Sequence, residues 1–446
     1  MTGPKDSVEQ EISEVNKEVG EVDGGVIAAV SDVEARAAFA GDAAGPVSVG
    51  QYWEQYRNKL RAGDVGSLPA LLGLLVLIVV FTIAAPSTFL TTFNFANLLT
   101  QAGSICVLAM GIGFVLLLGH IDLSAGVIGG VGAGVMAMLM LKQGLPWYAA
   151  VLIALLVGVV MGLFTGVMVS AVGIPSFVVT LATFLAYQGV LLWIIGTGGT
   201  VAITDATILK ISNGNMPVLF GWIVVIGSIA AYAVVNLLVY QRRRSADLVV
   251  TPLPVILLRI GVIAVLLLGA TFLLSQNRAK GNVVLEGIPW IAPLVGVLLV
   301  IWTFVQNRTA FGRHVYAVGG NAEAARRAGI RVGYITIACF VISSAMAVIS
   351  GIVAASRLNS VTPDAGAGNT LLYAVAAAVI GGTSLFGGKG KARDAIIGGL
   401  VIAVIDNGLG LLGLQAYIKY IVTGLVLLLA ASVDAISRRK RASAGG

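Results

Sequence analysis

Apolar residues run along this chain in long blocks separated by short polar breaks, from near Leu68 almost to the C-terminal basic cluster. A helix rises about 1.5 Å per residue, so about 20 apolar residues cross the roughly 30 Å hydrocarbon core of a bilayer. The blocks predict spans over 68–89, 98–118, 122–141, 147–171, 176–196, 218–240, 254–274, 288–305, 334–355, 370–386, 394–413 and 417–436. The tenth is short and flanked by glycine, which leaves a half-span open as an alternative to a full crossing. The pattern predicts an all-α fold, a polytopic transmembrane helical bundle of about 10–12 spans. Lipid favours this solution because an unpaired backbone N–H or C=O is costly in hydrocarbon, and a helix satisfies its own.

The polar stretches divide the chain further. Residues 1–50 are acidic and rich in glycine and alanine, with no sustained apolar face, and are expected to be a disordered acidic cytoplasmic tail. Residues 51–67 read as a basic amphipathic cytoplasmic segment. Its Tyr52, Trp53 and Tyr56 suit the headgroup level, and Arg57, Lys59 and Arg61 suit an anionic leaflet. The longest polar interruption in the second half is 306–333, QNRTAFGRHVYAVGGNAEAARRAGIRVG. Within it the spacing predicts a short helix over 322–328. Asn321 is its N-cap, Glu323 lies near the positive end of the helix dipole, and Gly329 is its stop. So short a helix cannot persist in water unaided, because nucleation costs more than a few hydrogen bonds return. Something else must hold it.

Composition agrees with a membrane protein: 58% of residues are apolar and 11% charged, against about 25% charged in a soluble domain. Ten of the 21 acids but only three of the 28 bases fall in residues 1–50, which leaves the rest of the chain at +14. Those bases cluster beside apolar spans, as the positive-inside rule expects, and so argue for a membrane partner and not for nucleic acid. Twelve crossings place the clusters at 57–61, 242–244, 308–331, 389–393 and 438–441 on one side, with both termini cytoplasmic in a cell membrane. Arg278 and Lys280 are the chief exception. The first long apolar run begins near Leu68, so no cleavable signal peptide is expected. Cys106 and Cys339 lie in apolar spans and read as small buried hydrophobes. Gly158, Gly162 and Gly166, continued by Ser170, form a stripe of small residues that lets helix backbones approach closely. That means packing, or in a transporter a moving interface.

Ionisable groups near the spans are few: His120 and Asp122 in GHIDLSAG, then Asp205, Asp364 and Asp406. Asp122 is placed to cap the helix that follows it, with a proton relay as the alternative. No HExxH, CxxC or Gly-x-Ser-x-Gly occurs, so neither a metal site, nor a cofactor, nor a hydrolytic enzyme is expected. The run GGTSLFGGKGK at 381–391 imitates a phosphate loop but fails it. Thr383 stands where the first glycine is required, and Lys389 is followed by Gly390 in place of Ser or Thr. If ATP drives this protein, the ATPase is another chain.

Five stretches, in this order, resemble the sugar ABC importer permeases of the ribose/xylose type. They are GHIDLSAG (119–126), GIPSFVVTLATFLAYQG (173–189), NRTAFGRHVYAVGGNAEAARRAGIRV (307–332), AAAVIGGTSLFGGKG (376–390) and DNGLGLLG (406–413). The resemblance covers about 68–441, and two extra spans at about 254–305 look most like the xylose-permease branch. It implies a permease domain over 68–441 that pairs with a second copy as a homodimer around a central path. It also implies a cytoplasmic ABC ATPase and an extracellular sugar-binding protein as partners, membrane lipid around the body, and a pentose such as xylose as cargo. The coupling helix would carry Asn321, Glu323, Ala324, Ala325, Arg326, Arg327 and Gly329. A path or gate near Asp122, Ser124, Pro175, Ser176, Thr383, Ser384 and Asn407 is expected at the glycine-rich breaks. The alternatives are a proton- or sodium-coupled secondary transporter working through His120 and Asp122 or Asp406, or an ABC permease for a nucleoside or a branched-chain amino acid.

Overall fold

The computed structural model describes residues 48–61, 66–196, 199–246, 248, 250–279 and 284–444. The acidic tail therefore lies outside the described residues up to position 47. The apolar blocks become helices α2 (Leu68–Ala84), α3 (Thr92–Leu117), α4 (Ala125–Gln143), α5 (Trp147–Ser170) and α6 (Ser176–Ile195), after α1 (Val49–Arg61). A strand β1 (Val201–Ala202) and the short α7 (Ala206–Asn213) lead to α8 (Val218–Ser245), α9 (Leu253–Leu274) and α10 (Ile291–Arg308). Then come α11 (Ala310–Gly320), α12 (Ala322–Arg327), α13 (Val332–Leu358), β2 (Ser360–Val361), α14 (Asn369–Gly381), α15 (Ala392–Leu411) and α16 (Ala416–Ala444). Among the described residues nine helices are long and apolar enough to cross a membrane, and α2, α14 and the apolar part of α16 are shorter. Each of the twelve expected spans thus coincides with a helix, with ends displaced by up to eight residues. The tenth, α14, has only 13 residues, about 20 Å of helix.

Residues 48–58 and 224–268 form one compact unit, and 59–223 with 269–444 form the other. In the smaller unit the Arg259 guanidinium of α9 lies 5.9 Å from the centre of the Tyr52 ring and donates to the Tyr52 hydroxyl. A cation in the second turn of an apolar helix thereby gains an aromatic face and an acceptor.

The larger unit is built around α13. Side-chain-free positions on three neighbours meet its backbone. Gly111 of α3 faces the Ser343 carbonyl and Met346, and Gly129 of α4 faces the Ala347 carbonyl and Gly351. On α5, Gly158, Gly162 and Gly166 fall on Val348, on Ser344 with the Phe340 carbonyl, and on Ile337. The stripe continues at Ser170, whose hydroxyl would lie 2.8 Å from a Cβ on Gly333. The glycine stripe is therefore a packing seam. Lipid tails supply no hydrophobic force between helices, so close van der Waals contact between small residues holds the bundle together. Ser350 adds a bond from its hydroxyl to the Ser104 carbonyl at 2.8 Å. Phe114 and Phe340 are fully buried in a second cluster, where Trp302 of α10 packs edge-on to Phe114 with centroids 5.0 Å apart.

The ends of the bundle differ. At one end β1 pairs antiparallel with β2, Val201 opposite Val361, and α7 packs beneath. Asp205 caps α7 by accepting from Thr207 and Ile208 N–H at 2.8 and 3.0 Å, and Ser212 N–H donates to the Ser356 hydroxyl at 3.0 Å. After β2 the chain turns inward, so that Ala365 and Gly366 press on Gly130 and Gly126 of α4 before α14 begins. This irregular backbone lies against protein, as lipid requires. The other end carries the polar elbow.

Candidate functional site

The stretch 306–333 folds as an elbow of two helices. Thr309 starts α11, its hydroxyl accepting from Gly312 N–H at 3.1 Å. Asn321 closes α11 and opens α12. Its backbone N–H donates to the Ala317 carbonyl at 3.0 Å, and its side-chain oxygen accepts from Ala324 N–H at 2.9 Å. The polarity of each group decides its job: the donor satisfies an orphan carbonyl, the acceptor an orphan N–H. Glu323 lies in the first turn of α12 and pairs with Arg326 and Arg327 at 3.1 and 3.4 Å. All three are solvent-exposed, so these pairs contribute little stability and leave the charges available. Ala325 alone turns inward and is buried with Val315 and Val318. Gly329 ends the elbow at φ +83°, a backbone conformation a side chain would strain.

What holds so small a helix is α11. The reading of 306–333 as one short helix in a loop omitted this second helix. Phe311, Val315 and Val318 at spacings of four and three were the available signal. Through α11 the elbow is fastened to two further loops. Gly319 lies so close to the end of α3 that a Cβ on it would sit 1.8 Å from the Leu117 carbonyl oxygen. That same oxygen accepts from Gly388 N–H at 2.8 Å. Tyr316 donates its hydroxyl to the Gly390 carbonyl at 2.6 Å. Burial and the Asp394 carboxylate push the Tyr316 phenol up to about 12, which keeps it a donor. Gln306, buried, accepts from Ala392 N–H at 2.8 Å and fixes the start of α15.

The GHIDLSAG break continues from Leu117. Asp122 is buried; one carboxylate oxygen accepts from the Ser124 hydroxyl at 2.7 Å and from Ser124 N–H at 3.1 Å. The other accepts from the Ser343 hydroxyl of α13 at 3.0 Å. The N-cap of α4 is Ser124 and not Asp122, so Asp122 braces the loop that leads into α4 and ties the break to the central helix. His120 stacks obliquely against Phe340, centroids 6.1 Å apart. The Ile121 N–H donates to the Ser176 hydroxyl at 3.4 Å, and the Thr180 hydroxyl donates to the Ile121 carbonyl at 3.2 Å, so Pro175 and Ser176 at the start of α6 meet the same break. Thr383 and Ser384 are buried in the 382–391 turn, where Ser384 N–H donates to the Lys389 carbonyl at 2.8 Å.

The structure thus brings six of the seven expected path residues onto loops that contact one another and the elbow. Asn407 is elsewhere. It exchanges two hydrogen bonds with Asn94, at 2.8 and 3.0 Å, near the opposite end of α3. Asn94 and Leu117 are separated by about 35 Å of helix. Its amide is spent on joining α15 to α3. The neighbouring Asp406 points away from that pair, towards Lys419.

A family described as branched-chain amino acid transport system / permease component matches residues 94–431. The chain belongs to this permease family. It is 34% identical over 384 residues to the xylose transport system permease protein of Haemophilus influenzae, covering 86% of this chain and 99% of that one. It is 30% identical over 361 residues to the D-allose transport system permease protein of Escherichia coli K12, covering 81% and 89%. To the ribose import permease protein of the same strain it is 32% identical over 365 residues, covering 82% and 92%. No solved structure matches the chain. The matched region begins at Asn94, near the start of α3, and contains every candidate site residue.

Proposed function

We propose that this permease carries a monosaccharide, a pentose such as xylose, and that it does so as the membrane subunit of an ATP-driven importer. Curated relatives named for xylose, allose and ribose transport support the cargo class. The observation that carries the mechanism is the elbow: an exposed, doubly capped α12 whose support, α11, is fastened to the break at 117–124 and to the turn at 382–391. A cytoplasmic ATPase would seat α12, with small Ala324 allowing close approach and Arg326 and Arg327 meeting acidic groups at its rim. Closure of the ATPase would move the elbow as a lever, and the loops holding Asp122, Ser124, Pro175, Ser176, Thr383 and Ser384 would open or close the path. In this reading both termini are cytoplasmic, residues 68–441 are the permease domain, and a second copy completes the path. A sugar-binding protein outside supplies selectivity.

Glu323→Lys and Gly329→Leu test the lever. Both are expected to abolish ATP-driven uptake while leaving membrane insertion intact; normal uptake by either variant rejects the docking role. The cargo is tested on the proposed binding-protein partner, by its thermal shift with xylose, ribose, allose, nucleosides and branched-chain amino acids. Stabilisation by an amino acid alone would assign the cargo named in the family description instead.

A further inference from the structure

We infer that the groove between α6 and the loop 362–368, with Gln188 and Asp364 on its two walls, is a transit subsite for a neutral polyhydroxylated cargo. The inference rests on the monosaccharide reading above and locates a contact for that cargo within the bundle. The groove has a volume of about 480 Å³ and is lined by Leu185, Gln188, Gly189, Leu192, Pro363 and Asp364. Both walls are fastened to one point of α4. A Cβ on Gly130 would lie 2.0 Å from the Ala365 carbonyl oxygen and 3.0 Å from the Leu191 side chain, so the loop and α6 close on the same glycine. The adjacent Gly129 meets Ala347 of α13, 15 residues after Val332 and 11 before Leu358, which sets the groove at mid-depth. Gln188 is about 18 Å along α6 from Ser176, so this helix joins the groove to the break at 117–124.

Polar groups at that depth need a partner in protein or water, because hydrocarbon offers none. The hydroxyls of α6 have theirs: Thr180, Thr183 and Tyr187 donate to the carbonyls of Ser176, Val179 and Met161. Gln188 and Asp364 do not. Among the described residues neither the Gln188 side-chain amide nor the Asp364 carboxylate makes a hydrogen bond or an ion pair, and Asp364 is exposed. The loop that carries Asp364 is irregular backbone, tolerated at depth only against protein or beside water. After it comes α14, a helix of 13 residues that starts inside the bundle. Interrupted helices of this kind frame cargo sites in transporters. The groove therefore faces an aqueous path and not lipid.

The lining selects the ligand. A carboxylate accepts hydrogen bonds, an amide both donates and accepts, and a sugar hydroxyl can do either. Leu185, Leu192 and Pro363 supply apolar surface for the C–H face of a sugar ring. An anionic cargo would meet Asp364, and the lining holds no base to offset it. The volume falls within the roughly 300–1,000 Å³ of small-molecule sites. Gly189 has nothing within 4 Å of its would-be Cβ, so a side chain placed there enters the groove without disturbing the packing.

The test places a thiol in the groove. Cys106 and Cys339, the chain's two cysteines, are buried, so Gly189→Cys adds a single accessible one. Cells expressing the full chain with its proposed ATPase and binding-protein partners are treated with a charged methanethiosulfonate, which reacts with thiols in water. Initial uptake of labelled D-xylose, D-ribose and D-allose is measured before and after. Gly189→Cys is expected to be labelled and to lose about tenfold of its uptake on labelling, while the wild-type chain treated alike loses none. The labelled protein is already folded and in the membrane, so misfolding does not explain the loss. Gln188→Leu and Asp364→Ala are each expected to lower uptake about tenfold at unchanged membrane level, as loss of hydrogen bonds to the cargo requires. Wild-type uptake in Gln188→Leu overturns the inference. So does a Gly189→Cys chain that is not labelled, which would put lipid or a second copy of the chain over the groove. If the two polar variants fail to reach the membrane, the thiol result decides alone. If the wild-type chain takes up none of the three sugars, the monosaccharide reading fails and this inference falls with it. If it takes one up and labelling leaves that uptake unchanged, only the subsite fails.

Discussion

Asn321 does two jobs because its backbone and side chain carry opposite polarities, and both jobs are local. The cap of α12 was legible in the sequence for that reason: donor and acceptor stand within a few positions of each other. Replacing it with Ala removes the Ala324 partner and is expected to cost α12 about 1 kcal/mol. Hydrogen exchange at 322–328 should then quicken about fivefold, since about 1.4 kcal/mol corresponds to a factor of ten. Unchanged exchange would mean that α11 alone holds the elbow. Asp122 shows the opposite case. Its residue type and position at a break were readable, but its second partner, Ser343, is 221 residues away, and no local pattern indicates that bond. Ser343→Ala leaves a buried carboxylate oxygen short of a donor. An expected loss of about 1–2 kcal/mol follows, read as a lowered thermal midpoint in detergent. Ser228→Ala, whose exposed hydroxyl bonds only its own helix at 2.7 Å, should not shift that midpoint.

Among the helices, existence was legible and partnership was not. A span announces itself because the cost of placing polar groups in lipid acts on every residue of the block, whatever its neighbours. The stripe Gly158, Gly162 and Gly166 announced a close contact in the same way, but the contacted surface on α13 followed only from the fold. The stripe yields a paired prediction. A Cβ at Gly162 would meet the Phe340 carbonyl oxygen at 2.8 Å and the Ser344 side chain at 2.6 Å. Gly162→Ala should therefore cost about 1–3 kcal/mol, because backbone at the seam must move. Gly113 of α3 has nothing within 4 Å of its would-be Cβ. There the same substitution should be neutral or stabilise by about 0.5–1 kcal/mol, since it only removes helix-interior flexibility. Thermal unfolding of the two variants in one detergent checks both signs together.

Across the whole molecule, the proposed lever requires that force applied at α12 reach the loops proposed to gate the path. The elbow meets the bundle through α11, and the tightest point of that contact is Gly319 against the end of α3, with Gly388 bonded to the same carbonyl oxygen. A contact between backbones has no flexible side chain to absorb displacement, so motion of α11 must be passed to the break at 117–124 and to the turn at 382–391. Gly319→Ala would force these backbones apart, since its Cβ would lie 1.8 Å from the Leu117 oxygen and 2.9 Å from the Gly388 nitrogen. Gly320, the next residue, has nothing within 4 Å and is the matched control. In the reconstituted importer Gly319→Ala should still reach the membrane and bind its ATPase. Its ATP hydrolysis should lose the stimulation that loaded binding protein gives, and sugar moved per ATP should fall severalfold. Gly320→Ala should behave as wild type. Equal stimulation in both variants would place transmission on another route, through Gln306 and the start of α15 instead of α11. The two glycines differ by one position and carry opposite expectations, so the comparison tests the lever at its narrowest point.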